Sequence, residues 1–142
     1  MNMKRTFDTD TIRLMILFEN IAHVPVLDCI VDKESNTVCF VIGDGALGLA
    51  IGKNGNSVKR AEKIIGKNIK LFEFSKNLDT FVKGLIPQAT DVIIKKEIGE
   101  VLVEVKVQKR DRAFVIGRNG KNLKIYKELL KRSHHVNNLV IR

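Results

Sequence analysis

The sequence predicts an α+β fold built twice over, each copy a three-stranded sheet packed on one side by helices. Two ten-residue stretches, AIGKNGNSVK from Ala50 and VIGRNGKNLK from Val115, match at an offset of 65. The match pairs Ile51 with Ile116, Gly52 with Gly117, Asn54 with Asn119, Gly55 with Gly120 and Lys59 with Lys124. Around both stretches the order of helix-like and strand-like segments is the same. A chain of 142 residues has room for one ordinary domain or two small ones, and an internal repeat selects two.

The first copy opens with apolar residues at helical spacing over 9–21, where Ile12, Met15, Ile16, Leu14, Leu17, Phe18 and Ile21 span a wide arc. Asp8, Thr9 and Asp10 are candidate caps, and the arc's width predicts contacts on two sides. Val24-Pro25 stops the helix, because proline lacks an amide donor and restricts its predecessor. VLDCIVD and TVCFVI read as strands joined by KESN, a polar turn of hairpin length. After the glycine-rich segment, a helix from about Asn56 to Ile65 places Val58, Ala61, Ile64 and Ile65 on one face, and NIKLFEF closes the unit as a third strand.

The second copy repeats this order. LDTFVKGL from Leu78 is helical, Ile86-Pro87 interrupts it, and DVIIKKE and VLVEVKV are strands around a turn at Ile98-Gly99. FVIGRNGKNLKIYKELL follows. Pro25 and Pro87 lie 62 apart, so small loop differences absorb the mismatch with the 65-residue offset. Only SKN, 75–77, separates the copies, with no flexible linker composition. The domains are therefore set at 1–75 and 76–142, and the copies are expected to pack nearly rigidly, which relieves two marginal cores.

The formal net charge is +9, which favours a polyanionic partner. The charge is concentrated: Lys109 to Arg132 holds nine Lys/Arg against Asp111 and Glu128, net +7, and Lys53 to Lys70 holds six against Glu62, net +5. The rest of the chain is slightly acidic. The longest apolar run, IRLMILFENI, carries Arg13 and Glu19 and falls short of a membrane span. MNMKRTFDTD has no apolar stretch of the secretory kind, so a cytoplasmic protein with no membrane partner is expected. Cys29 and Cys39 lack metal-ligand spacing and are read as free thiols, although a turn centred near Glu34 would set them facing across the first hairpin.

Three phosphate-bearing ligands are met by glycine turns at helix N-termini. GDGALG, 43–48, fits GxGxxG after a strand, the dinucleotide context. However, the helix it would open lasts only to about Ile51, and no acidic residue follows where a ribose ligand is needed. A Walker A loop fails as well, since Gly48 to Gly52 is one residue short and Asn54 replaces the magnesium-binding hydroxyl. What both copies share is a short helix ending in Ile-Gly-basic-Asn-Gly, then a second helix with lysines outside. Glycines at both ends of the four-residue turn allow a sharp bend and leave no Cβ between backbone and a ribose-phosphate chain. Lys53 and Arg118 project charge at the same anion, and Lys59, Lys121 and Lys124 extend the positive edge. A plain helix–helix turn is the competing explanation of the glycines.

This turn resembles the KH domain, a single-stranded nucleic-acid module whose GxxG loop clamps the backbone of about four nucleotides. The element order looks like the type II variety, and the pair GDGALGLAIGKNG and DRAFVIGRNG resembles the archaeal NusA-like transcription factors over about Thr9 to Arg142. Bacterial members also carry a polymerase-binding domain and an S1 domain, for which this chain has no room.

The resemblance implies RNA-binding residues at Ile51, Gly52, Lys53, Asn54, Gly55 and Lys59 in the first copy. In the second it implies Ile116, Gly117, Arg118, Asn119, Gly120, Lys121 and Lys124. Both loops keep their glycines and lack acidic residues. Single-stranded RNA, the nascent transcript, is the implied partner, with RNA polymerase as a further one, and a monomer that influences termination or antitermination is expected. Docked copies with loops on one side would cover roughly 8 nucleotides at about four per module. A protein-interaction adaptor and a binder of single-stranded DNA or ribosomal RNA are the alternatives.

With no Trp and one Tyr, the chain is unsuited to base-stacking sheets of the RNA-recognition or OB kind. Tyr126 is spaced with Leu123 and Leu130 and is assigned to the core with its hydroxyl at the edge. Ile51, Ile116, Leu49 and Phe114 suit an apolar floor for bases, though for Leu49 and Phe114 the core is the favoured assignment. His134 and His135 end the last helix rather than binding metal, and His23 is structural. No nucleophile–base pair, carboxylate pair or zinc signature appears, so neither enzyme nor cofactor is predicted.

Overall fold

The structure is a computed structural model that describes residues 8–142. Residues 1–7, most of the MNMKRTFDTD segment, lie outside the described residues. The chain divides between Ser75 and Lys76 into two compact units. The first runs α1 (Thr9–Ala22), β1 (Val26–Asp32), β2 (Thr37–Ile42), α2 (Leu47–Ile51), a 3₁₀ turn at Lys53–Gly55, α3 (Asn56–Ile65) and β3 (Asn68–Glu73). The second runs α4 (Leu78–Leu85), β4 (Ala89–Glu97), β5 (Glu100–Val107), α5 (Lys109–Ile116), a 3₁₀ turn at Arg118–Gly120, α6 (Lys121–His134) and β6 (Asn138–Ile141).

Each sheet has its middle-numbered strand at the centre, in orders β1-β2-β3 and β4-β5-β6. The hairpin pairs are antiparallel and the last strand joins parallel. A parallel partner requires a crossover, and the two helices flanking each glycine turn provide it. Thus the turn sits in the middle of the connection that closes each sheet. Both hairpins carry a register shift near the start of the first strand, between Val26 and Asp28 and between Ala89 and Asp91.

The first core joins Phe18 and Ala22 of α1, Val38, Phe40 and Ile42 of β2, Ala50 of α2 and Ala61 of α3. The Phe18 and Phe40 rings stack with centroids 4.8 Å apart, a favourable arrangement for aromatic faces. In the second unit Phe81, Leu85, Val103, Val105, Leu129, Leu130 and Leu139 are all at most 1% exposed. Helix starts follow their caps. Asp8 Oδ1 accepts from the Thr11 amide at 2.7 Å, which holds the Asp8 carboxyl below its ordinary pKa, and Asn77 Oδ1 accepts from Thr80 at 2.9 Å. His23 and His135 end α1 and α6 in left-handed conformations at φ 58° and 56°.

Two expectations need correction. Cys29 stands opposite Phe40 and Cys39 opposite Ile30, so side chains that alternate along a strand send the two thiols to opposite faces, and both are free and buried. Ile64 does not share the buried face of α3, being 52% exposed. Tyr126 is half-buried, which suits a ring at the edge of the core with its hydroxyl outward. In the first sheet β2 is buried along its whole length: Val38, Phe40 and Ile42 face the helices, while Thr37, Cys39 and Val41 on the opposite face are 7%, 1% and 3% exposed. In β5 the corresponding outer residues Leu102 and Glu104 are half-buried and Lys106 is exposed.

Candidate nucleic-acid interface

Gly43 and Gly45 of GDGALG are explained by the turn they make. A β-carbon on Gly43 would meet Pro25 Cγ at 2.9 Å, and the Gly45 amide, at φ +79°, donates to Glu73 Oε2 at 2.7 Å. The helix that follows, α2, is five residues long.

The two IGxNG turns have nearly the same backbone. Gly52 lies at φ 79°, ψ 171° and Gly117 at φ 81°, ψ 166°, a region open in practice to glycine alone. Asn54 and Asn119 follow in the left-handed region at φ 56° and 58°, then Gly55 and Gly120 at φ 72° and 71°. Asparagine tolerates this conformation better than most residues, and glycine does so at no steric cost.

The glycines at the two ends do different work. A β-carbon on Gly52 would fall 2.8 Å from the Ser57 backbone nitrogen, and one on Gly117 would fall 2.9 Å from that of Asn122. The first glycine of each turn is therefore pressed against the next helix, as the plain helix–helix turn would have it, rather than left open to a ligand. At the second glycine the space is open: nothing lies within 4 Å of a β-carbon on Gly120, and only the Lys59 side chain approaches one on Gly55, at 3.6 Å.

Of the residues singled out in the sequence, Ile51, Lys53, Asn54, Lys59, Arg118, Asn119 and Lys124 are exposed, and Gly52, Gly55, Ile116, Gly117, Gly120 and Lys121 are half-buried. Each set of neighbours is brought together by its own turn. Lys59 Nζ lies 3.5 Å from the Asn54 carbonyl oxygen, so this ammonium stands directly over the loop. The helices that follow have N-cap glycines and no side-chain cap, unlike α1 and α4. An anion arriving there meets the positive end of a helix that no side chain has capped.

Beyond the turn, both units form a shallow pocket, where α3 meets the start of β3 and where α6 meets the start of β6. In the first, about 370 Å³ is lined by Asn36, Lys59, Glu62, Lys63, Lys67 and Asn68. In the second, about 190 Å³ is lined by Lys124, Lys127, Glu128, Lys131, Asn137 and Asn138, among others. Lys63, Lys67, Lys127 and Lys131 entered the sequence reading only as net charge. Their three- or four-residue steps from Lys59 and Lys124, with Lys67 just past the end of α3, were the available sign that they share a flank with the loop lysine.

Glu62 and Glu128, inside these basic stretches, have structural partners. Glu62 Oε2 accepts from the Ile69 amide at 2.9 Å, and Glu128 Oε2 accepts from Arg132 Nε at 2.9 Å. The apolar residues before each loop also differ from expectation. Leu49 and Phe114 are 60% and 71% exposed, outside the core in which they were expected, because the faces that α2 and α5 bury carry Ala50 and Val115. Among the described residues no group of three His, Cys, Asp or Glu side chains is arranged to hold a metal ion, and no helix is long and apolar enough to cross a membrane.

Comparison with known proteins gives a consistent result. The family described as KH domain matches residues 14–102. The chain is 36% identical over 126 residues to the "Probable transcription termination protein NusA" of Methanocaldococcus jannaschii, covering 87% of this chain and 68% of that one. To the protein of the same name from Thermoplasma acidophilum it is 26% identical over 139 residues, covering 96% and 95%. The crystal structure of APE1850 superposes with a TM-score of 0.76 at 33% identity, over 96% of this chain and all of that one.

Proposed function

Because this chain belongs to the KH-domain family and is a NusA-like member of it, we propose that it binds single-stranded RNA through its two IGxNG loops and acts in transcription termination or antitermination. The observation that carries this reading is the repeated loop geometry. Each turn presents a left-handed Asn-Gly pair with open space over the glycine, beside an exposed basic residue and ahead of a helix without a side-chain cap. A ribose-phosphate backbone laid across Gly55 or Gly120 approaches main chain with no β-carbon in the way. Amide hydrogens, the helix dipole and Lys53 or Arg118 then act on the same phosphate.

From the loop, the strand follows the lysine-lined flank of α3 or α6, with its bases over the shallow pocket. Ile51 and Ile116 close the apolar side of this path. Each unit is read as a KH module of the type II order, and the activity is binding without catalysis. The nascent transcript is the proposed RNA.

The test replaces Lys53, Asn54, Arg118 and Asn119 together by Asp and measures affinity for an unstructured RNA alongside thermal stability. Aspartate tolerates the left-handed positions, so folding should persist while affinity collapses. Unchanged RNA affinity in a folded variant would sink the reading, and retention of a protein partner alone would favour the adaptor.

A further inference from the structure

We propose that Phe114 is a stacking platform for one unpaired nucleobase of the strand held at Gly117 to Gly120, so that the second unit contacts a base by a means the first lacks. The inference rests on the RNA-binding reading above and adds a residue and a mode of contact to it.

Phe114 is 71% exposed and is the one phenylalanine or tyrosine among the described residues that is exposed. Phe18, Phe40 and Phe81 are buried, and Phe72, Phe74 and Tyr126 are half-buried. A single exposed apolar residue is ordinary, but this one occupies a repeated position. Its counterpart Leu49, also three residues before the first loop glycine, is 60% exposed, so the fold turns this site outward in both units.

The site is also fixed. The Phe114 carbonyl accepts from Asn122 Nδ2 at 3.2 Å, tying the end of α5 to the first turn of α6. The Asn122 side chain fits only because Gly117 has no β-carbon. The Gly117 amide donates to the Ala113 carbonyl at 3.0 Å, which fixes the backbone on the loop side. The ring therefore stands on a rigid support three residues from the phosphate-facing turn.

Its surroundings are cationic. Arg110 lies one helical turn earlier on the same face, and Lys109, Arg112 and Arg118 are exposed nearby in sequence. An accessible ring among positive charges, next to a backbone clamp, is the combination used for stacking single-stranded bases. Leu49 can offer a base only aliphatic contact. The ligand class is accordingly any unpaired base at the second loop, with little demand on its hydrogen-bonding edge.

The experiment uses the full chain and an unstructured RNA oligomer, comparing Phe114→Ala, Phe114→Leu and Phe114→Trp with the parent. Alanine should lose about tenfold or more in affinity, leucine should be intermediate, and tryptophan should bind at least as well as the parent. None should shift the melting temperature appreciably, since the ring is exposed. With an oligomer carrying abasic sites, the alanine penalty should disappear. Equal affinity of Phe and Leu would reduce the ring to an apolar contact and overturn the proposal, as would an alanine variant that binds like the parent. If the Arg118/Asn119 double Asp variant fails to bind while Phe114→Ala binds normally, stacking falls and the loop reading stands. If the parent itself does not bind, both fall.

Discussion

Gly117 and Asn122 are packed so closely that a β-carbon on the glycine would stand 2.9 Å from the asparagine's backbone nitrogen, and Gly52 stands in the same relation to Ser57 at 2.8 Å. The neighbour in each case includes main chain at the start of a helix, which cannot move aside like the end of a flexible side chain. Gly52→Ala or Gly117→Ala should therefore cost about 2–3 kcal/mol, combining a backbone clash with a conformation reserved for glycine. Gly55→Ala and Gly120→Ala meet no such clash and should cost about 1 kcal/mol from the left-handed backbone alone. Thermal melts of the four variants check the ranking, at roughly 4–8 °C per kcal/mol for a unit of this size.

RNA affinity should be strongly salt-dependent. Plotted against the logarithm of salt concentration, log K should fall by about 0.7 for each phosphate neutralised on a single strand. Replacing Lys124 or Lys59 by Gln should make the slope shallower by roughly one phosphate's share. A slope that does not change with either lysine would remove them from the interface.

Glu62→Gln separates charge from structure at one residue. Its carboxylate accepts from the amide of Ile69, the second residue of β3, and a neutral amide oxygen accepts more weakly, so the variant should lose about 1 kcal/mol of stability. The same change removes the one negative charge between Lys53 and Lys70, so RNA affinity should hold or rise. Because glutamine keeps an acceptor oxygen, a variant as stable as the parent would show that the charge adds nothing to the hydrogen bond.

Burial raises the Cys39 thiol from 9.0 to about 11, with Lys70 opposing and Asp32 adding to the shift. The unfolded thiol ionises near pH 9 while the folded one keeps its proton until about 11. The stability contributed is therefore complete below pH 9 and is lost as pH rises through the interval to 11. Cys39→Val should flatten the decline in stability over that window relative to the parent, and native Cys39 should resist alkylation at pH 8. Rapid labelling of the folded protein would contradict the burial.

Ile98 sits at φ +33° and is fully exposed at the tip of the β4–β5 hairpin, next to Gly99 at φ +76°. Two positive-φ residues at a hairpin tip suit Asn-Gly far better than Ile-Gly. Ile98→Asn should raise stability by about 0.5–1 kcal/mol, measured by denaturant unfolding, because a β-branched residue is strained there and buries nothing in return.

How much was legible beforehand can be judged residue by residue. Asp8 before α1, the KESN turn and Leu78 to Leu85 each have local causes: a cap, a polar hairpin turn and helical spacing ended by Ile86-Pro87. The repeat, the element order and the two glycine loops were visible for the same reason, since turn geometry is written in adjacent residues. The loops' lysine flanks were harder to see, because net charge has no direction until a helix assigns it a side.

Other features depend on what packs from a distance. Which loop glycine presses on the next helix, why Leu49 and Phe114 point out while Ala50 and Val115 point in, and which face of β2 receives Cys39 all follow from contacts made after the chain has closed on itself. Composition and spacing are one-dimensional, whereas burial is decided by the neighbour that arrives. The chain's order thus determined that two glycine-hinged α+β units would form, and tertiary packing alone decided which of their atoms remain open to a ligand.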